Sequence, residues 1–179
     1  MTGLDRQVKF NAMFSDLVRP EFLEQVTKGD VPELFQSALD AGWAADPSGA
    51  WVLRFFSDGY KGDRSSFTDL TGYEAAINGR AIPDFDLAED DPARVETLAR
   101  RAYSFAHGAL FALRKIPGAP PGSAYISIGP TLYDENLVTG SVTFCVRHDE
   151  EEPYLADISR MTLSGVLVVD SEDCVSPLN

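Results

Sequence analysis

At 179 residues, 44% of them hydrophobic and 24% charged, the chain has the size and composition of a globular domain able to bury a real core. Its formal net charge is −13, with 8 basic and 12 acidic residues up to Pro83 and 7 basic and 16 acidic residues after it. That field repels phosphate, so direct nucleic-acid binding is not expected; it favours solubility, or a basic protein partner met by fast, salt-sensitive association.

In chain order, Leu4 to Val18 reads as a helix with an imperfect apolar stripe, broken by Arg19-Pro20. Glu21 to Thr27 reads as a short helix. Asp30 then stands as an N-cap, with Pro32 and Glu33 in the first turn of a helix that presents Leu34, Phe35, Ala38 and Leu39 and ends near Gly42. Trp51 to Phe56 predicts a strand. Thr71-Gly72-Tyr73-Glu74 has capping-box spacing for a short helix to Ile77, closed by Asn78-Gly79.

Pro83 to Asp91 is an acidic connector, and residues 1–83 before it form a largely helical half with one strand. The main helix, 92–116, follows Asp91-Pro92. Val95, Leu98, Ala99, Ala102, Ala106, Ala109, Leu110 and Leu113 share its buried side, and Arg114 and Lys115 suit its C-terminal dipole. A turn over Ile116–Gly122 carries three prolines. Strands are expected within 124–170: Ala124–Gly129, Leu137–His148 with clean alternation, and Tyr154–Asp170 bent near Gly165. The tail, 171–179, is the segment expected to fray. The expected fold is therefore a single α+β domain: a curved, mainly antiparallel sheet with a C-terminal meander of three or more strands, packed on one face by the long central helix and N-terminal helices.

No Gly-x-Gly pair, phosphate-binding loop or Gly-x-Ser-x-Gly elbow occurs. Cys145 and Cys174 are too few for a disulfide scaffold or a thiolate metal site. Cys145 and His148 are three apart, a spacing that points them to opposite faces of a strand. The only histidines, His107 and His148, could meet a carboxylate such as Asp149 at a metal; the plainer reading is a packed helix residue and a strand end beside acids. The connector lacks the spacing and central glycine of a calcium loop. No cofactor and no catalytic group is therefore assigned. The N-terminus lacks the layout of a signal peptide, and the uncharged Ala102–Leu113 is far short of the roughly 20 residues that a span requires. A cytoplasmic, non-membrane protein is expected.

Two readings of function remain. In the first, a non-catalytic acidic protein occludes a basic protein partner, as inhibitors of immunity type do, with Asp84, Asp86, Glu89, Asp90 and Asp91 and the run Asp149, Glu150, Glu151 and Glu152 as contact surfaces. In the second, a small-molecule-binding domain or small enzyme holds a pocket between sheet and main helix, with Tyr103, His107, Phe144 and His148 among its lining. The ladder Tyr103-His107-Phe111 reads as core beneath an N-terminal helix, or as an interface patch that would serve a scaffold subunit. Tyr133 and Tyr154 read as a pocket mouth or as sheet-edge residues.

Overall fold

The computed structural model describes residues 9–179. The first part of the helix expected over Leu4–Val18 lies outside them. Within them a short strand, β1 (Lys9–Phe10), precedes α1 (Ala12–Leu17), capped by the Asn11 side chain. Asn11 also reaches across to Met161, Ser164 and Val166, so one buried amide fixes both the helix start and the edge of the sheet.

The segment expected as a helix over Glu21–Thr27 is a 3-10 turn, Pro20–Gln25. Asp30 does not cap the next helix. Its carboxylate turns back to the Thr27 amide and across to Arg100. Helix α2 (Glu33–Ala41) starts after Pro32 and stops at Gly42, whose φ of 71° suits a residue without a side chain. Strands β2 (Trp43–Ala45) and β3 (Trp51–Leu53) form a separate antiparallel ribbon. The strand expected to reach Phe56 ends at Leu53. Arg54 starts a helical turn, α3 (Arg54–Ser57), which buries Phe56 against Phe35 and Phe105. A helix, α4 (Leu70–Asn78), and a two-residue strand, β4 (Arg80–Ala81), complete this half.

The main helix α5 (Arg94–Arg114) faces the sheet strands β5 (Gly122–Pro130), β6 (Val138–Val146) and β7 (Gly165–Asp170). The sheet order is β1-β7-β5-β6-β4, antiparallel throughout, so β7 adds to the far side of β5 instead of following β6. Strand β7 begins only at Gly165, where a Cβ would stand 2.8 Å from the Phe14 backbone; glycine there lets α1 sit against the strand. Residues 147–164 leave the sheet and cross its outer face, and Met161 and Leu163, expected on a strand face, are exposed.

Alternation along β5, β6 and β7 divides the sheet. Ala124, Ile126, Ile128, Val142, Phe144, Val146, Leu167 and Val169 face α5 in a core that extends from Phe14 to Leu178. Tyr125, Cys145, Val166 and Val168 face outward under Leu155 and Ile158. The tail is pinned: Cys174 and Leu178 are buried, and the Lys28 amide donates to the Asn179 carbonyl at 3.0 Å. A buried penultimate leucine and a backbone acceptor outweigh the usual fraying.

Candidate functional site

The Thr71-x-x-Glu74 spacing is not a capping box. Asp69 caps α4 through the Gly72 amide at 2.7 Å, and Glu151, from beyond β6, accepts from the Leu70 and Thr71 amides and the Thr71 hydroxyl at 2.7–2.9 Å. Glu74 therefore points inward and is wholly buried. Its Oε1 accepts from the Trp51 amide at 2.7 Å and meets His148 Nε2 at 2.8 Å; its Oε2 accepts from the Val146 amide at 2.8 Å.

One turn on, Asn78 accepts from the Leu53 amide at 2.9 Å and donates to the Trp51 and Phe144 carbonyls at 2.9 and 3.2 Å. The pair at i and i+4 thus does what a strand backbone would do, joining β3 to the edge of β6. Burial pushes the Glu74 carboxyl above its ordinary value, against the opposing pull of the Trp51 and Val146 amides and His148.

His148 opens onto a groove of about 260 Å³ on the outer face of the sheet, shared with Tyr125, Cys145, Glu151, Tyr154 and Asp170. Cys145 and His148 line the same groove, because the strand ends at Val146 and the chain turns before His148. They are engaged separately: the thiol donates to the Thr71 carbonyl at 3.5 Å, and the imidazole is held by Glu74. Burial, with the Glu74 charge second, pushes the Cys145 thiol far up and leaves it protonated and unreactive. Burial likewise pushes the Tyr125 phenol up to about 12. The Ser123 hydroxyl is tied to Asp170 at 2.5 Å, and Asp170 meets Lys9 at 3.4 Å. This is a held, hydrogen-bonded lining with no activated nucleophile among these groups.

Of the residues expected to line a pocket between helix and sheet, Tyr103, His107 and Phe144 are buried, and His148 lines the outer groove. Phe144 packs edge-on against Trp43 and Phe105, with ring centroids 5.8 and 5.3 Å away. Tyr103 and His107 are buried, Tyr103 meets Phe22 of the Pro20–Gln25 turn, and Phe111 is half-buried with Lys115 over its ring at 3.9 Å. His107 stays in this aromatic stack while His148 lines the groove, so the two histidines are not brought together. No group of three or more potential metal ligands gathers among the described residues.

The acidic connector is partly an internal brace. Arg94, 4% exposed, donates to the Val138 and Leu87 carbonyls at 2.8 and 2.9 Å and pairs with Asp84. Arg101 forks onto Asp86 at 2.9 and 2.6 Å, and these bonds hold the Asp86 carboxyl down to about 2. Asp91 accepts from the Ala93 amide at 2.8 Å. Glu89 and Asp90 remain exposed with no described ion-pair partner, as do Asp149, Glu150 and Glu152 at the other end of β6.

Sequence reasoning passed over Phe85 and Leu132, 90% and 93% exposed, and read Tyr133 as a pocket-mouth or sheet-edge residue, whereas it is 101% exposed and does not line the groove. An aromatic in a turn gives no sequence signal of its direction; only the acids beside these residues, Asp84, Asp86, Asp134 and Glu135, marked the segments as surface. Tyr154, in contrast, packs edge-on to Tyr125 over the groove, at 5.3 Å.

Among the described residues no helix is long and apolar enough to cross a membrane. No family model, no curated protein and no solved structure matches this chain.

Proposed function

We propose that this is an acidic, non-catalytic interaction protein that occludes a basic protein partner. The observation that carries the reading is the set of exposed carboxylates that the fold leaves without a described cation: Glu89 and Asp90 on the connector, and Asp149, Glu150 and Glu152 beyond β6. The same connector spends Asp84 and Asp86 on Arg94 and Arg101, so its remaining acids sit on a braced loop. A braced anionic surface raises association rates with cationic partners and fixes their orientation. The buried thiols of Cys145 and Cys174 fit a reducing, cytoplasmic setting.

The test is a titration with a deca-arginine peptide, followed by amide chemical shifts between about 20 and 300 mM salt. The expected shifts cluster on one of the two acidic segments, fade with salt, and vanish in either Glu89→Lys/Asp90→Lys or Asp149→Lys/Glu150→Lys/Glu152→Lys. Shifts spread evenly over all acidic residues, or equal in both variants and the wild type, contradict the reading.

A second reading, a small-molecule-binding domain, draws support from the groove under Tyr154 rather than from the space between helix and sheet. Native mass spectrometry of the purified protein tests it: a co-purifying mass that the Tyr125→Ala variant loses supports it, and a bare chain mass counts against it.

A further inference from the structure

We infer that the β5–β6 hairpin tip is an anchor, with Leu132 and Tyr133 inserting into an apolar pocket with a cationic rim on a partner protein. The inference rests on the basic-partner reading above and adds the contact that would carry most of the affinity.

The tip is built to hold its shape. The Thr131 amide donates to the Leu137 carbonyl at 3.0 Å, closing the loop, and the Leu137 amide donates to the Asp134 carbonyl at 3.2 Å. The Thr131 hydroxyl accepts from the Asp134 amide and donates to the Asp134 carbonyl, both at 3.0 Å, and the Asp134 carboxylate accepts from the Asn136 amide at 2.9 Å. These bonds close the loop on itself, and its two large apolar side chains project into water. A tip ordered in advance loses little entropy on docking, and tyrosine is among the residue types that dominate interface energies.

The surroundings specify the partner. Arg94 ties the connector to the root of the hairpin, since it holds Asp84 and the Val138 carbonyl together, and the Ile82 amide donates to the Gly140 carbonyl at 2.8 Å. The connector that carries Glu89 and Asp90 is thereby tied to the root of the hairpin that carries Leu132, Tyr133, Asp134 and Glu135, whereas Phe85 lines a separate groove with Leu34, Arg100 and Arg101. Leu163, 75% exposed, flanks the hairpin root: its carbonyl lies 3.1 Å from where a Gly129 Cβ would stand. Scattered single apolar side chains on a surface are ordinary, but Leu132 and Tyr133, at 93% and 101% the most exposed large apolar side chains among the described residues, are adjacent in one turn and followed directly by Asp134 and Glu135. A pocket that accepts them is apolar at its floor and basic at its rim. A second copy of this chain, at −13, meets the same acids and is repelled.

The experiment places the photo-crosslinker p-benzoylphenylalanine at Tyr133, and separately at Leu34 and Tyr154, in the cells that make the protein. The expected result is an adduct from position 133 alone, with a protein of basic surface. Its affinity for the captured protein should fall about 100-fold in Leu132→Ser/Tyr133→Ser, with an unchanged melting temperature because the tip buries nothing. An adduct with a second copy, no adduct at 133, or a captured protein whose binding does not weaken with salt overturns the inference. If the serine variant binds like the wild type while Glu89→Lys/Asp90→Lys loses binding, the basic-partner reading stands and the anchor falls. If neither variant changes binding, both fall.

Discussion

Replacing Glu74 with glutamine preserves shape and removes one acceptor. The carboxylate serves the Trp51 and Val146 amides and His148 at 2.7–2.8 Å, from the middle of the strut that joins β3 to β6. In the glutamine variant the single oxygen can stay with Trp51, and the new amino group then abuts the Val146 N–H. Loss of a hydrogen bond to a charged acceptor costs about 1.5–3 kcal/mol, and an orphaned buried amide costs about 1–3 kcal/mol. Relief of the buried charge returns part of this, so a net destabilisation of about 2–4 kcal/mol is expected. Urea unfolding reads it as a lower midpoint at constant slope.

The pH dependence carries a second signature. Burial holds the folded-state carboxyl above its ordinary 4.5, so the folded state favours the protonated form. Its stabilising contribution is complete below the unfolded-state value and is lost as pH rises through the folded-state value. The gap between wild type and Glu74→Gln should be widest below the ordinary 4.5 and narrow as pH rises above it. A variant within about 0.5 kcal/mol of wild type, or a gap that widens with pH, refutes the strut.

Arg94→Ala should cost about 3–5 kcal/mol, because it leaves Asp84 and two carbonyls without their shared donor; hydrogen exchange should rise across 84–91 and at the hairpin root, and unchanged protection there would disprove the brace. Asp86, held down to about 2 chiefly by its bonds from Arg101, contributes stability that is present above the ordinary 3.8 and lost as pH falls through about 2. Arg101→Ala should return Asp86 to the ordinary carboxylate range in an NMR titration. Leu178→Ala should cost about 2–4 kcal/mol if the tail is part of the core, and nothing measurable if it frays.

The elements that showed in the sequence are those whose burial is one-sided and long. Alternation in Val138–Val146 and the stripe of α5 each repeat over several turns or pairs, so the pattern exceeds the noise of single residues. Trp51–Phe56 is apolar on both faces, and no periodicity marks where the strand gives way to the turn that buries Phe56. Strands β1 and β4 have two residues each and exist only because β7 and β6 offer edges. Glu74 was misread because Thr-x-x-Glu spacing is identical for a cap and for an inward-facing acid; the choice is made by the distant Trp51, Val146 and His148. The acids were visible as a run, but their division into bracing and exposed groups depends on Arg94 and Arg101, one helix away.

The most direct test of the central claim is the association rate constant, across ionic strength, with the protein captured at position 133. For the wild type the rate should fall at least tenfold between about 20 and 300 mM salt, and Glu89→Lys/Asp90→Lys should bring the low-salt rate down to the high-salt level. A rate indifferent to salt and to that charge reversal contradicts the proposal that this protein works by meeting a basic partner.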